Sequence, residues 1–304
     1  EGIIWAGGVR GVAKFAGRGF VNRSSKQGLA EDEVSAILQL RDGRMVLGHD
    51  MSITVLETPP RTITLSHAAE FTRIMSMVQA ADGSILAAAS YAGLLRINPD
   101  TETFEVIPDP NIPESMGSQK LKIVQSVSQA ANGDVLVAGW RSAWRIRGDV
   151  TEVIDMGNLP KGNSYIRQIV ADGEGLLCAM RGAGAVQIHG KTMRDWTAES
   201  QAMQNVTCVA RRPDGAIWAG SAAGLLEADD NGTLRHRDFH GEHITRPVYS
   251  ITDDHRGRTW FGTNNGVTIW DGKQLRDITS DKGLAGRETN RGANVCDSDG
   301  RIWV

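Results

Sequence analysis

Cysteine is scarce. Cys178, Cys208 and Cys296 are the three among 304 residues. No pair has the spacing of a metal site, so a structural zinc fold is excluded and buried free thiols are expected. Proline is sparse at 9 residues, which argues against disordered linkers. Long apolar runs are missing, so no transmembrane helix is read. No signal peptide is visible either. Positive charge is not in excess: 33 Lys and Arg stand against 36 Asp and Glu, for a net charge of −3 and a pI near 6.2. That excludes the basic face a nucleic-acid partner needs. Neither a phosphate loop nor a nucleophile elbow is present.

What the chain has in abundance is glycine, at 35 residues. Much of it falls in one recurring shape: a short apolar strand, a polar turn, then a second apolar strand. Thr259-Trp260-Phe261-Gly262-Thr263-Asn264-Asn265-Gly266-Val267 is the clearest copy. Ile217-Trp218-Ala219-Gly220 and Ile4-Trp5-Ala6-Gly7 are others. Each copy follows a turn glycine: Gly2, Gly43, Gly83, Gly133, Gly175, Gly215, Gly257 and Gly300. The spacings are 41, 40, 50, 42, 40, 42 and 43 residues, the size of a four-stranded propeller blade. A further apolar stretch precedes most of these glycines, as in Val248-Tyr249-Ser250-Ile251. The expected fold is therefore all-β: a seven-bladed β-propeller of four-stranded blades, one domain over residues 1–304. The first strand of each unit, before the turn glycine, is expected to be innermost.

The chain begins in mid-unit and stops four residues into another. It therefore reads as a piece of a longer protein. Segments 3–7 and 301–304 hold the same unit position, and the longer one, 3–7, is expected to lie beside 293–297 and close the ring. Trp5, Trp218 and Trp260 share a position on the second strand and are expected to pack between blades. The three prolines in 108–118 mark that stretch as an insertion rather than a central strand.

Candidate ligand groups are sought in the turns after the second strand and in the inter-blade loops, which line one end of a propeller channel. These supply Arg10, His49, Tyr91, Trp140, Arg141, Arg181, Asn264, Asn265 and Arg291, with Lys26, Lys161, Tyr165 and Arg246 as further loop residues. Guanidiniums suit carboxylates and sulfates through forked hydrogen bonds, and aromatic faces suit sugars. The competing reading is an ordinary solvated loop surface. His236, His240 and His243 cluster in a strand-to-loop passage that gives no fixed ligand geometry, so no metal is expected. Asp229-Asp230 and Asp253-Asp254 sit at turn positions and are read as turn residues. No cofactor is expected.

The unit Val-x-x-Ile-x-x-Asp-x-x-Gly-x-φ-Trp-φ-Gly-Thr-x-x-Gly-φ, with φ apolar, resembles the two-component regulator propeller repeat. Residues 248–267 carry it most fully and Asp297-Ser298-Asp299-Gly300-Arg301-Ile302-Trp303 next. In units two to five Val46, Leu86, Leu136 and Cys178 stand in place of the tryptophan. The resemblance implies a periplasmic or extracellular sensor propeller of a histidine kinase or related regulator. Such a module would bind an oligosaccharide or another small anionic ligand and insert into no membrane. It leaves room for a homodimer formed through the parent protein. Catalysis is not expected in this segment. The alternatives are a propeller polysaccharide lyase or hydrolase, which needs His, Tyr and Arg groups converging on the channel, and a protein-interaction scaffold, which needs a broad exposed apolar patch.

Overall fold

A computed structural model describes residues 4–8, 11–15, 20–65, 72–110, 123–140, 142–156, 165–284 and 286–303, the segments 4–8, 11–15 and 20–21 by backbone alone. Six four-stranded antiparallel sheets follow one another along the chain, spanning 36–64, 76–107, 124–153, 166–196, 206–236 and 248–278. They are numbered here as blades one to six. In each, the strands pair in sequence order. The first strands are Ala36–Gln39, Ser76–Gln79, Val124–Gln129, Ile166–Asp172, Val206–Arg211 and Val248–Asp253. From blade one to blade five each lies beside the first strand of the next blade, and that of blade six lies beside Val295–Cys296, so together these strands surround the axis. They precede the turn glycines, as expected from the sequence.

The blade count corrects the expectation of seven. The spacing of turn glycines counts turns, whereas a blade requires a four-stranded hydrogen-bonded ladder. Between blades six and one stand instead a two-stranded hairpin, Val295–Cys296 with Ile302–Trp303, and a three-stranded sheet of Ile4–Gly8, Gly11–Phe15 and Phe20–Arg23. The closure expectation is corrected as well. It is Ile302–Trp303 that pairs with Val295–Cys296, through Val295↔Trp303 and Cys296↔Ile302. Ile4–Gly8 packs against Ile302–Trp303 from the other side. A tight turn already joins the C-terminal pair, so the shorter loop won over the longer strand. The Ile37 amide donates to the Gly292 carbonyl at 2.8 Å, and the Asn290 side-chain amide to the Val34 carbonyl at 2.8 Å, tying this region to blade one.

Apolar side chains fill the spaces between blades. Trp260 is fully buried against Val267, Ile269, Leu284 and Ile302 of neighbouring elements, and Trp218 is buried against Phe239 and Phe261. Both are structural, as expected; Trp5 falls among residues whose side chains lie outside the described set. The Trp260 indole N–H donates to Asp254 at 2.9 Å, and Trp303 repeats the pairing with Asp297 at 3.0 Å. Where the aspartate is missing, as at Arg212, the guanidinium lies 4.3 Å over the Trp218 ring. Glycine after this tryptophan position has a steric reason. A Cβ on Gly220 would come within 2.5 Å of Cys208 Sγ and 2.8 Å of the Val248 carbonyl, the latter on the next blade's first strand. Cys178 and Cys208 are buried and Cys296 is half-buried, all as free thiols. Burial pushes the Cys178 and Cys208 thiols up to about 12.

Candidate functional site

The first strands carry a repeated irregularity. In blades three to six the pairing of the first two strands shifts register around the second residue, at Gln125, Arg167, Thr207 and Tyr249. A bulge of this kind leaves one residue out of the ladder and re-aims its side chain. Each of these residues stands eight positions before its turn glycine, as do Ser35, Met75 and Gly292. All seven line the axial channel.

The channel holds two adjoining cavities. The outer one, about 340 Å³, forms the mouth and is lined by Arg73, Tyr249, Glu288 and Asn290 among others. The inner one, about 170 Å³, reaches Gln125, Ser126, Gln168 and Asn294. Arg167 and Arg291 line both. Larger grooves of about 500 and 680 Å³ lie elsewhere. Ion pairs such as Arg44–Asp100 at 3.0 Å and Arg147–Asp134 at 2.8 Å cross them, so their arginines already have partners.

The charges of the channel are unequal in their company. Arg73 is held by Glu33 and by Asn290 at 2.9 Å, with Asp50 at 3.8 Å. Arg291 donates once, from Nη2 to Gln125 Oε1 at 3.1 Å. Its Nη1 is enclosed and has no hydrogen-bond partner among the described residues. Burial, reinforced by the like charges of Arg167 and Arg73, brings the Arg291 guanidinium down to about 10. It still carries its charge at neutral pH. Arg167 is lowered by burial and then by the Arg181 charge. Tyr249 donates to Glu288 at 2.8 Å. Burial and this carboxylate raise its phenol to about 12, so it serves as a neutral donor and not as a base.

Of the described residues singled out from the sequence, Arg291 alone lines the channel. His49 is a correction: it is wholly buried inside blade one, with Nδ1 2.7 Å from the Glu33 carbonyl and Nε2 2.9 Å from Thr54 Oγ1. Burial lowers its pKa, which fits a neutral structural imidazole. Tyr91, Asn264 and Asn265 are exposed in turns at the same end as the mouth, and outside both channel cavities. Trp140 is 45% exposed and stacks on Tyr165, with ring centroids 6.1 Å apart and planes at 22°. The Arg181 amide donates to the Tyr165 carbonyl at 2.9 Å, so the aromatic pair neighbours Arg181, whose charge acts on Arg167 of the channel. Arg246 is paired with Asp277 and Thr268. Arg10, Arg141 and Lys161 lie outside the described residues. Sequence reasoning missed Arg73, Arg167, Tyr249 and Glu288. For Arg167 and Tyr249 a signal existed, namely their distance from the turn glycine.

Similar proteins place the fold. Residues 244–265 match the family model described as two component regulator propeller, which bears out the resemblance seen in the repeat. The extracellular domain of a putative hybrid two component system from B. thetaiotaomicron superposes with a TM-score of 0.75 at 17% identity. That match covers 93% of this chain and 40% of the other, so this chain spans well under half of it. A streptogramin B lyase structure has a TM-score of 0.64 at 14% identity, covering 89% of each chain. A catalytically inactive virginiamycin B lyase from Staphylococcus aureus, solved with quinupristin, has a TM-score of 0.61 at 13% identity and covers 81% of this chain and 84% of its own. At such identities the likeness shows an all-β propeller. No curated protein matches the chain in sequence.

Proposed function

We propose that this chain is a ligand-sensing propeller of a signal-transduction regulator, outside the cytoplasm, and that it binds an acidic oligosaccharide across its channel face. The observation that carries this reading is the sequence of neighbours from the Trp140–Tyr165 plate to Arg181, and from Arg181 by its charge to Arg167 of the channel. An aromatic face takes the apolar side of a sugar ring, and guanidiniums take its carboxylate or sulfate. Glu288, Thr289 and Asn290 at the mouth offer partners for hydroxyl groups. The repeat match and the similar extracellular sensor domain support the signalling role and the location.

Two similar structures are lyases, yet the channel argues for binding here. Among the described residues no histidine lines either cavity, and Tyr249 is held in its neutral form. The scaffold reading finds little support. Among the described residues the exposed large apolar side chains are split between turns, Tyr91 and Trp140, and the outermost strands of blades two and three, Val106, Val150 and Val153, rather than joined in one broad patch.

The test is a thermal-shift and calorimetric screen of acidic and neutral oligosaccharides of matched length. Acidic members are expected to raise the melting temperature by binding the folded state. Trp140→Ala and Arg181→Gln are expected to weaken that effect. Equal response to neutral and acidic members would overturn the reading.

A further inference from the structure

The inner cavity carries positive charge with nothing to balance it. Arg167 and Arg291 line it, and among the described residues no aspartate or glutamate does. The acids of the mouth are engaged elsewhere, Glu33 by Arg73 and Glu288 by Tyr249. Arg167 makes no hydrogen bond or ion pair with any described residue, and Arg291 Nη1 is enclosed without an acceptor. Burying a guanidinium without an anion is costly. Elsewhere the fold avoids that cost: Asp134, Asp172 and Asp254, all buried or nearly so, each hold an arginine within 2.8 Å.

Two glutamines of the cavity point the same way, whereas the side-chain oxygen of Asn294 stays an unpaired acceptor among the described residues. Gln125 Oε1 is taken by Arg291, and Gln168 Oε1 accepts from the Val209 amide at 2.8 Å. Those bonds fix both amides with their acceptor ends consumed and their NH₂ groups left to donate. The cavity therefore offers cations and spare donors while its glutamine acceptors are spent. At about 170 Å³ it has room for a small group rather than an oligosaccharide.

We infer that the inner cavity seats one oxyanion group, a sulfate or phosphate, between Arg167 and Arg291, with Gln125 and Gln168 as neutral donors. A dianion matches the two unbalanced guanidiniums in charge, and its oxygens suit their forked donors. The inference deepens the channel-face reading and rests on it for the remainder of the ligand, because the anionic group would be the part that enters the channel.

The experiment is calorimetry and thermal shift with sodium sulfate, sodium phosphate and sodium chloride at equal ionic strength, on the natural chain, Arg291→Gln, Arg167→Gln and the outer-strand control Arg235→Gln. Sulfate or phosphate is expected to bind the natural chain and the control alike. Both channel variants should bind about tenfold or more weakly, the size of a lost charged hydrogen bond. Should Arg291→Gln fail to fold, Arg167→Gln carries the test, because that side chain bonds to no described residue. Sulfate also stabilises proteins by exclusion from their surface, which is the same in all four chains. An equal response in all four therefore overturns the inference.

A sulfated and a phosphorylated saccharide complete the series. Tighter binding than the free anions supports the site as the seat of a ligand's terminal group; equal binding supports it as a seat for the free anion. If acidic oligosaccharides bind and both channel variants bind them as well as the natural chain, the oxyanion seat is overturned while the channel-face reading stands. If the free anions bind and no oligosaccharide does, the seat stands and the channel-face reading falls.

Discussion

The glycine-turn end and the inner channel of this propeller treat charge in opposite ways. At the end that carries the turn glycines, arginines meet aspartates blade after blade: Arg96 with Asp82 at 2.6 Å, Arg147 with Asp134 at 2.8 Å, Arg211 with Asp172 at 2.6 Å and Arg258 with Asp254 at 2.6 Å. In the channel, entered from the other end, Arg167 has no carboxylate partner among the described residues and Arg291 makes one bond to a neutral amide. The first kind of arginine ties a turn to its own blade or, as Arg211 does with Asp172, one blade to the next. The second kind stores a charge that the fold itself does not use. Composition cannot separate the two, because the residue is the same; only its company differs.

Four substitutions would break or sharpen this contrast. The largest effect is expected at the glycine-turn end. Trp260→Ala removes a fully buried indole and should cost about 3–5 kcal/mol of stability by urea unfolding. A soluble variant of unchanged stability that had lost ligand response would reverse the assignment of the two regions.

Asp254→Ala comes next. Its carboxylate accepts from the Trp260 indole, from Arg258 and from the Arg256 and Arg258 amides. Losing these partners should cost about 2–4 kcal/mol. Burial alone would raise this carboxyl, but the hydrogen bonds from Trp260, Arg258 and Arg256 bring it below its ordinary 3.8. A lowered folded value means that the stabilisation is present above 3.8 and is lost as the pH falls through and below it. Acid titration of unfolding free energy should therefore show a shallower acid limb in Asp254→Asn. An unchanged limb would place the acid sensitivity on other carboxylates.

At the channel the order of effects inverts. Arg167→Gln should change stability by less than about 1 kcal/mol, since no bond to a described residue is broken. The same substitution should weaken an anionic ligand about tenfold, measured by calorimetry. A large loss of stability would show that Arg167 is structural after all. Smallest is Trp140→Ala, which removes one exposed stacking face. It should reduce affinity for an acidic saccharide by about three- to tenfold, with unfolding unchanged. Unaltered affinity would confine recognition to the channel.

Much of the fold was legible in the chain. The glycine spacing marks where each first hairpin turns, and the repeated position of Trp218 and Trp260 announces a buried indole, whereas Asp254 read only as a turn residue and its bond to the Trp260 indole came from the structure. The site was legible only in part. Exposed turn positions such as Tyr91, Asn264 and Trp140 drew the eye because polar and aromatic turn residues are common binding groups. The channel is built instead from bulged positions within strands, where Arg167 and Tyr249 read as ordinary alternation. His49 shows the same limit from the other side, since a turn histidine can equally be a satisfied interior group.

The sequence by itself determined the local units: a period near 42 residues from Gly133 to Gly175, the strand order within each unit, and the glycine that lets neighbouring blades approach. These depend on contacts a few residues apart or on the next copy of the same pattern. Tertiary structure decided the rest. How many complete blades form depends on which hydrogen-bond ladders close, and Ile302–Trp303 took the place beside Val295–Cys296. Which arginines stay without a counter-charge depends on side chains far apart in the chain, such as Gln125 and Arg291, that meet only around the axis.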